Sequence, residues 1–123
     1  MPYTLKKPIL LARHRAIKSA MSPKTRAKTE AIAEATLCVT TPRWPRSISS
    51  IALQINKNFP NADKQTKEVL VFAVLMEIYE ELESSDESDF QDCLQKEQQL
   101  IQIISNVMKQ SKGTSVSVVR NLR

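Results

Sequence analysis

A single glycine, Gly113, serves the whole 123-residue chain. Tight hairpin turns and phosphate-cradling loops need residues that tolerate positive φ, and glycine is the usual supplier. Turn-rich all-β folds, collagen-like repeats and glycine-cradled phosphate sites are therefore poor readings of this chain. The chain length suits one domain with one core. At 41% hydrophobic and 25% charged residues, it is neither a disordered nor a membrane composition.

Apolar spacing and capping residues point to helices. Ser22-Pro23 pairs an N-cap with a proline at the first helical position, which starts a helix expected to reach about Val39. On it, Ala27, Ala31 and Ala35 recur every four residues, a narrow stripe of small side chains expected to allow close helix approach. Ser47 is expected to cap a helix to about Phe59, with Ile48, Ile51, Ala52, Ile55 and Phe59 on one face. Asp63 caps the next, to about Glu83. Its run Val69–Tyr79 carries one charge and is apolar on every side, which predicts the central helix. Residues 84–89 (SSDESD) read as an acidic connector. A last helix follows over about 90–111, interrupted in its spacing only by Glu97, with Gly113 as a left-handed cap.

The ends read as weaker structure. Residues 1–8 form an arm. A short helix over about 9–21 has Ile9, Leu10, Ile17, Ala20 and Met21 within one arc, but Arg13 falls inside that arc, so deep burial is not expected. Residues 40–46 (TTPRWPR) hold two prolines in four residues and read as a stiff extended connector. In the tail 114–123, Val116, Val118 and Leu122 alternate, so it reads as extended or frayed. The fold expected is an all-α bundle of four to five helices with a basic N-terminal arm and a short extended tail. Its parts are 1–46 (arm, N-terminal helices and connector), 47–113 (helical core) and 114–123 (tail), one domain in all.

Charge is the most informative functional signal. Residues 1–60 carry 11 Lys and Arg against two acids, while residues 61–123 carry 7 against 11. Within the first 28 residues Lys6, Lys7, Arg13, Arg15, Lys18, Lys24, Arg26 and Lys28 meet no acid at all. A one-sided basic segment predicts an anionic partner. Arg43-Trp44-Pro45-Arg46 adds two cations around an aromatic ring suited to stacking on a base. The cations are spread over several segments, which fits backbone tracking with low sequence specificity.

Catalytic and metal constellations fail by count. His14 is the lone histidine and stands between Arg13 and Arg15, so it reads as a solvated or anion-contacting side chain. Cys38 and Cys93 have no CxxC spacing, so zinc is not expected, and they read as reduced, buried thiols. A cysteine paired with His14 is the one nucleophilic arrangement the composition leaves. The carboxylates of 77–92 lack a calcium-loop pattern and read as a solvated acidic face, or one facing the basic half of this chain or of a neighbouring copy. No cofactor, metal or catalytic residue is expected.

The longest apolar run, Val69–Met76, is too short for a membrane span, and no signal-peptide core is visible. The expected function is a non-enzymatic nucleic-acid-binding protein (DNA or RNA), self-associating and nucleoprotein- or coat-like. Its expected location is intracellular, cytoplasmic or nuclear, or inside a virus particle. The expected contact set is Lys6, Lys7, Arg13, Arg15, Lys18, Lys24, Arg26, Lys28, Arg43, Trp44 and Arg46. The competing reading is a helical adaptor, chaperone or inhibitor docking an acidic protein surface. A basic amphipathic helix lying on a membrane surface is a third, weakened by Arg13 and by the lack of Trp or Phe in residues 5–21.

Overall fold

The computed structural model describes residues 6–39 and 44–122, and these residues are helical with no strand among them. Eight helices run in order: α1 (Lys7–Ala20), α2 (Pro23–Leu37), α3 (Trp44–Ser49), α4 (Ile51–Asn58), α5 (Lys64–Glu81), α6 (Ser84–Lys96), α7 (Gln98–Lys109) and α8 (Lys112–Arg120). The all-α class is as expected, and the helices are more numerous and shorter. Two of the additional breaks are single residues, Ser50 between α3 and α4 and Glu97 between α6 and α7.

α5 is the axis. Asp63 accepts a hydrogen bond from Thr66 N at 2.8 Å, which starts the helix as its capping residue predicts. Every residue from Val69 to Met76 is buried, and α1, α2, α4, α7 and α8 all pack on this helix. A helix with no polar side is stable only when neighbours cover it all round. α2 starts as expected too, with Ser22 Oγ accepting from Thr25 N at 3.2 Å. The buried core draws on α1, α2 and α8 as well as on residues 47–113.

The alanine stripe of α2 behaves otherwise than expected. Ala27, Ala31 and Ala35 are exposed, and α2 buries Thr25, Thr29, Ile32, Ala33 and Thr36 instead. Three threonines can face a core because their hydroxyls are satisfied locally: Thr29 donates to Arg26 O and Thr36 to Ile32 O, both at 3.0 Å. Ser22 donates to Thr25 Oγ1 at 3.0 Å. The methyl groups are then free to pack. The cysteines also differ, since Cys38 is exposed and Cys93 half-buried.

α1 buries more than its arc of residues suggests. Leu10, Leu11, His14, Ile17 and Met21 are inside, while Ile9 is 54% exposed. The buried face is turned toward His14, which leaves Arg13 at its margin. From there Arg13 donates to Val107 O and Gln110 O, at 2.9 and 3.1 Å, carbonyls at the end of α7, of which Val107 O also accepts from Gln110 N. The apparent defect in the arc is a tie between α1 and the α7–α8 junction.

Four other expectations are corrected. Residues 84–89 are helical: Asp86 and Glu87 lie in the first turn of α6, where acids complement the helix dipole, and Phe90 and Leu94 anchor it. The last helix is two. Continuing the Phe90–Leu94 spacing would put Glu97 or Gln98 into the core, so the chain breaks at Glu97, and α7 buries Leu100, Ile103, Ile104 and Val107 in a new phase. The tail is neither extended nor frayed. Ser111 accepts from Thr114 N at 3.0 Å and starts α8, which buries Ser115 and Val119 against α1 and α5. Gly113 lies in the first turn of α8 and has no positive φ, so it is not a left-handed cap.

Candidate functional site

The connector expected at 40–46 is described only from Trp44 onward; residues 40–43, including Arg43, lie outside the described residues, as do residues 1–5 of the arm. Trp44 and Pro45 open α3, which tolerates a proline in its first turn. Trp44 is 5% exposed and meets Phe90 edge-on, with centroids 5.8 Å apart at 84°. Phe90 in turn lies 5.4 Å from Tyr79. Trp44 is thus a plug between α3, α5 and α6, and it is not presented to a base.

Several expected contact residues are engaged inside the molecule. Lys7 pairs with Glu87 and lies over the Tyr79 ring. Arg13 holds the end of α7. Arg26 donates to Lys18 O at 2.9 Å. His14, expected to be solvated or on an anion, is buried with its Nε2 2.9 Å from Glu77 Oε2. Lys18 donates to both Glu77 oxygens at 3.2 Å and lies 3.7 Å from Glu30. Burial pushes the Glu77 carboxyl up, but the hydrogen bonds from His14 and Lys18 and their charges outweigh it and hold it below its ordinary value. Lys18 shows the converse: burial lowers it, the Glu77 bond and charge win, and it ends above its ordinary value. His14 is therefore bound to a carboxylate and pairs with neither cysteine.

Lys6, Arg15, Lys24 and Arg46 remain exposed, and Lys28 is partly so. Of these, Lys24 and Lys28 converge on one surface. α2 forms one wall of a groove through Ala27, Lys28, Ala31, Ile32, Ala35 and Thr36. Ser47, Ser50, Gln54 and Asn58, spaced three or four apart along α3, the break after it and α4, form the other, and the space between is about 510 Å³. A second cavity of about 490 Å³ continues it past the start of α2, between Lys24, the Phe59–Ala62 turn and Asn121 at the end of α8. Lys28 and Asn58 line both cavities. Lys28 donates to Asn58 O at 3.1 Å and lies 5.0 Å above the Phe59 ring, which fixes the cation at the junction.

No residue lining either cavity is acidic. The exposed chain neighbours of the lining residues include the cations Arg46 and Lys57 and the acids Glu30, Glu34 and Asp63. From Lys24 to Thr36 the α2 wall is about 18 Å long at ~1.5 Å per residue. Chemically this is a cationic depression with amide and hydroxyl donors and an apolar floor, suited to holding an anion and lacking a nucleophile–base pair. The sequence reading missed Gln54, Asn58, Asn61, Asn121 and Lys57. The 47/50/54/58 repeat, the polar face of an amphipathic pattern, is the signal that points to part of this set.

An acidic cavity lies elsewhere. Glu30, Glu34, Glu77 and Glu81 line a cavity of about 450 Å³ between the far ends of α2 and α5. Among the described residues no group of three or more His, Cys, Asp or Glu is arranged to hold a metal ion, and no helix is long and apolar enough to cross a membrane. Comparison with protein-family models, with curated proteins and with solved structures finds no match.

Proposed function

We propose that this chain is a non-enzymatic nucleic-acid-binding protein of low sequence specificity, with phosphate contacts centred on the groove between α2 and α4. The observation that supports this reading is a pair of adjoining cavities, sharing Lys28 and Asn58, with Lys24 and Lys28 in their lining and no carboxylate among the lining residues. Phosphates are held by Lys and Arg and by side-chain and backbone donors, and contacts of that kind position a polynucleotide without reading its sequence. The contact set contracts accordingly, from cations along the first 46 residues to Lys24, Lys28 and Arg46, with Lys57 added. Self-association into a nucleoprotein remains part of the proposal, and light scattering with and without the polynucleotide tests it.

The decisive experiment is fluorescence anisotropy with a labelled oligonucleotide across a salt series. Affinity is expected to fall steeply with salt, and Lys24→Glu/Lys28→Glu/Arg46→Glu is expected to lose at least tenfold in affinity while its circular dichroism stays helical. Unchanged binding by that variant refutes the reading. A second reading, an adaptor docking an acidic amphipathic helix of a partner protein, is favoured by the apolar floor of Ala27, Ala31, Ile32 and Ala35. It predicts purified protein whose 260/280 nm absorbance ratio is that of plain protein and which ignores oligonucleotides.

A further inference from the structure

Resting on the reading above, we infer that the groove takes a single-stranded polynucleotide in preference to a duplex. The first reason is shape. Readers of duplex DNA insert a protruding helix or ribbon into a major groove about 12 Å wide. Here Lys28 lines a depression walled by α2 on one side and α3–α4 on the other, and Lys24 lines its continuation between α2, the Phe59–Ala62 turn and Asn121. A rigid, convex duplex resting on such a surface meets the rim, whereas a flexible strand follows the floor past both lysines.

The second reason is the neutral lining. Gln54, Asn58, Asn61 and Asn121 present amides along the path. Asn58 Nδ2 is taken up by Gln54 O at 2.8 Å, while the side chains of Gln54, Asn61 and Asn121 make no hydrogen bond among the described residues. A primary amide offers two donors and an acceptor, which matches the base edges that only an unpaired strand leaves open. The aromatic rings nearest the groove do not offer a stacking platform, because Phe59 is 7% exposed and Trp44 is a core plug. Amide contacts therefore carry what base recognition there is.

The test uses the full chain and one labelled mixed-sequence strand, alone and annealed to its complement, at equal phosphate concentration. The single strand is expected to bind at least fivefold tighter, with a salt slope near −0.7 per phosphate contacted, roughly two to four contacts. Gln54→Ala/Asn61→Ala/Asn121→Ala is expected to lower single-strand affinity by about five- to tenfold with the salt slope unchanged, whereas Lys24→Glu/Lys28→Glu flattens that slope. Should the triple variant fold poorly by circular dichroism, Asn61→Ala/Asn121→Ala, two exposed positions, replaces it with a smaller loss expected. Equal or tighter duplex binding, or full affinity in the folded amide variant, overturns the inference and leaves the nucleic-acid reading standing. If neither form binds the parent chain, both fall together.

Discussion

His14 Nε2 lies 2.9 Å from Glu77 Oε2, and this contact, with Lys18 on the same carboxylate, ties α1 to the central helix α5. A buried imidazole facing a carboxylate loses its partner when that carboxylate is removed, and an unmatched buried polar group is costly. Glu77→Ala is expected to destabilise the fold by about 1–3 kcal/mol, read as a shift in urea midpoint at constant slope. The pH dependence follows from the directions of shift. A carboxyl held low stabilises the fold above its unfolded value and loses that contribution as pH falls through the folded value, so the parent weakens from about pH 5 downward. Lys18, held high, contributes below its ordinary value and loses the contribution in strong alkali. Glu77→Ala flattens the acid limb; an unchanged limb contradicts the role given to this pair.

Two arginines two residues apart are expected to behave oppositely. Arg13 donates to Val107 O and Gln110 O, whereas Arg15 is exposed. Charged donors on helix-end carbonyls contribute more than neutral ones, so Arg13→Ala is expected to cost about 1–2 kcal/mol. Arg15→Ala stays within about 0.5 kcal/mol of the parent. Thermal unfolding of the two variants side by side checks this.

Trp44 is the chain's single tryptophan, and it is buried against Phe90. Its emission is expected to be blue-shifted in the folded protein and to stay unquenched at saturating oligonucleotide. Strong quenching on binding would show the ring stacked on a base. Phe90→Ala, which empties the space between Trp44 and Tyr79, is expected to cost about 3–5 kcal/mol in chemical denaturation.

The last helix is expected to be integral to the core. Val119 is fully buried on α8, so Val119→Ala should cost about 1–3 kcal/mol, and Ser111→Ala, which removes the cap, about 0.5–2 kcal/mol. Limited proteolysis gives an independent measure: the 112–120 segment should resist cleavage in the parent and become sensitive in Val119→Ala.

What the sequence disclosed was what local chemistry decides. Ser22 and Asp63 cap the helices they precede, and Val69–Met76 is the buried axis, because capping and apolar run length depend on neighbours in the chain. What stayed hidden depends on distant partners. Arg13 looked like a fault in an apolar arc until the end of α7 arrived to meet it. His14 had no visible partner because Glu77 is 63 residues away. Residues 84–89 looked like a connector because they hold no apolar residue, and the anchors of their helix, Phe90 and Leu94, come only after them. In the tail, three alternating aliphatic side chains suggested a strand, while the burial of Ser115 and Val119 follows helical spacing. The groove was half legible: Lys24, Lys28 and Arg46 were singled out by charge, and the amides that share it were not.

α2 and α5 run in the same direction, since Lys28 reaches the residue before the Phe59–Ala62 turn at one end and Glu34 and Leu37 meet Glu81 at the other. The cations Lys24 and Lys28 and the carboxylates of Glu34 and Glu81 are therefore kept at opposite ends of the α2–α5 pair. An anion approaching that pair meets attraction at one end and repulsion at the other, an orienting effect that is strongest at low ionic strength.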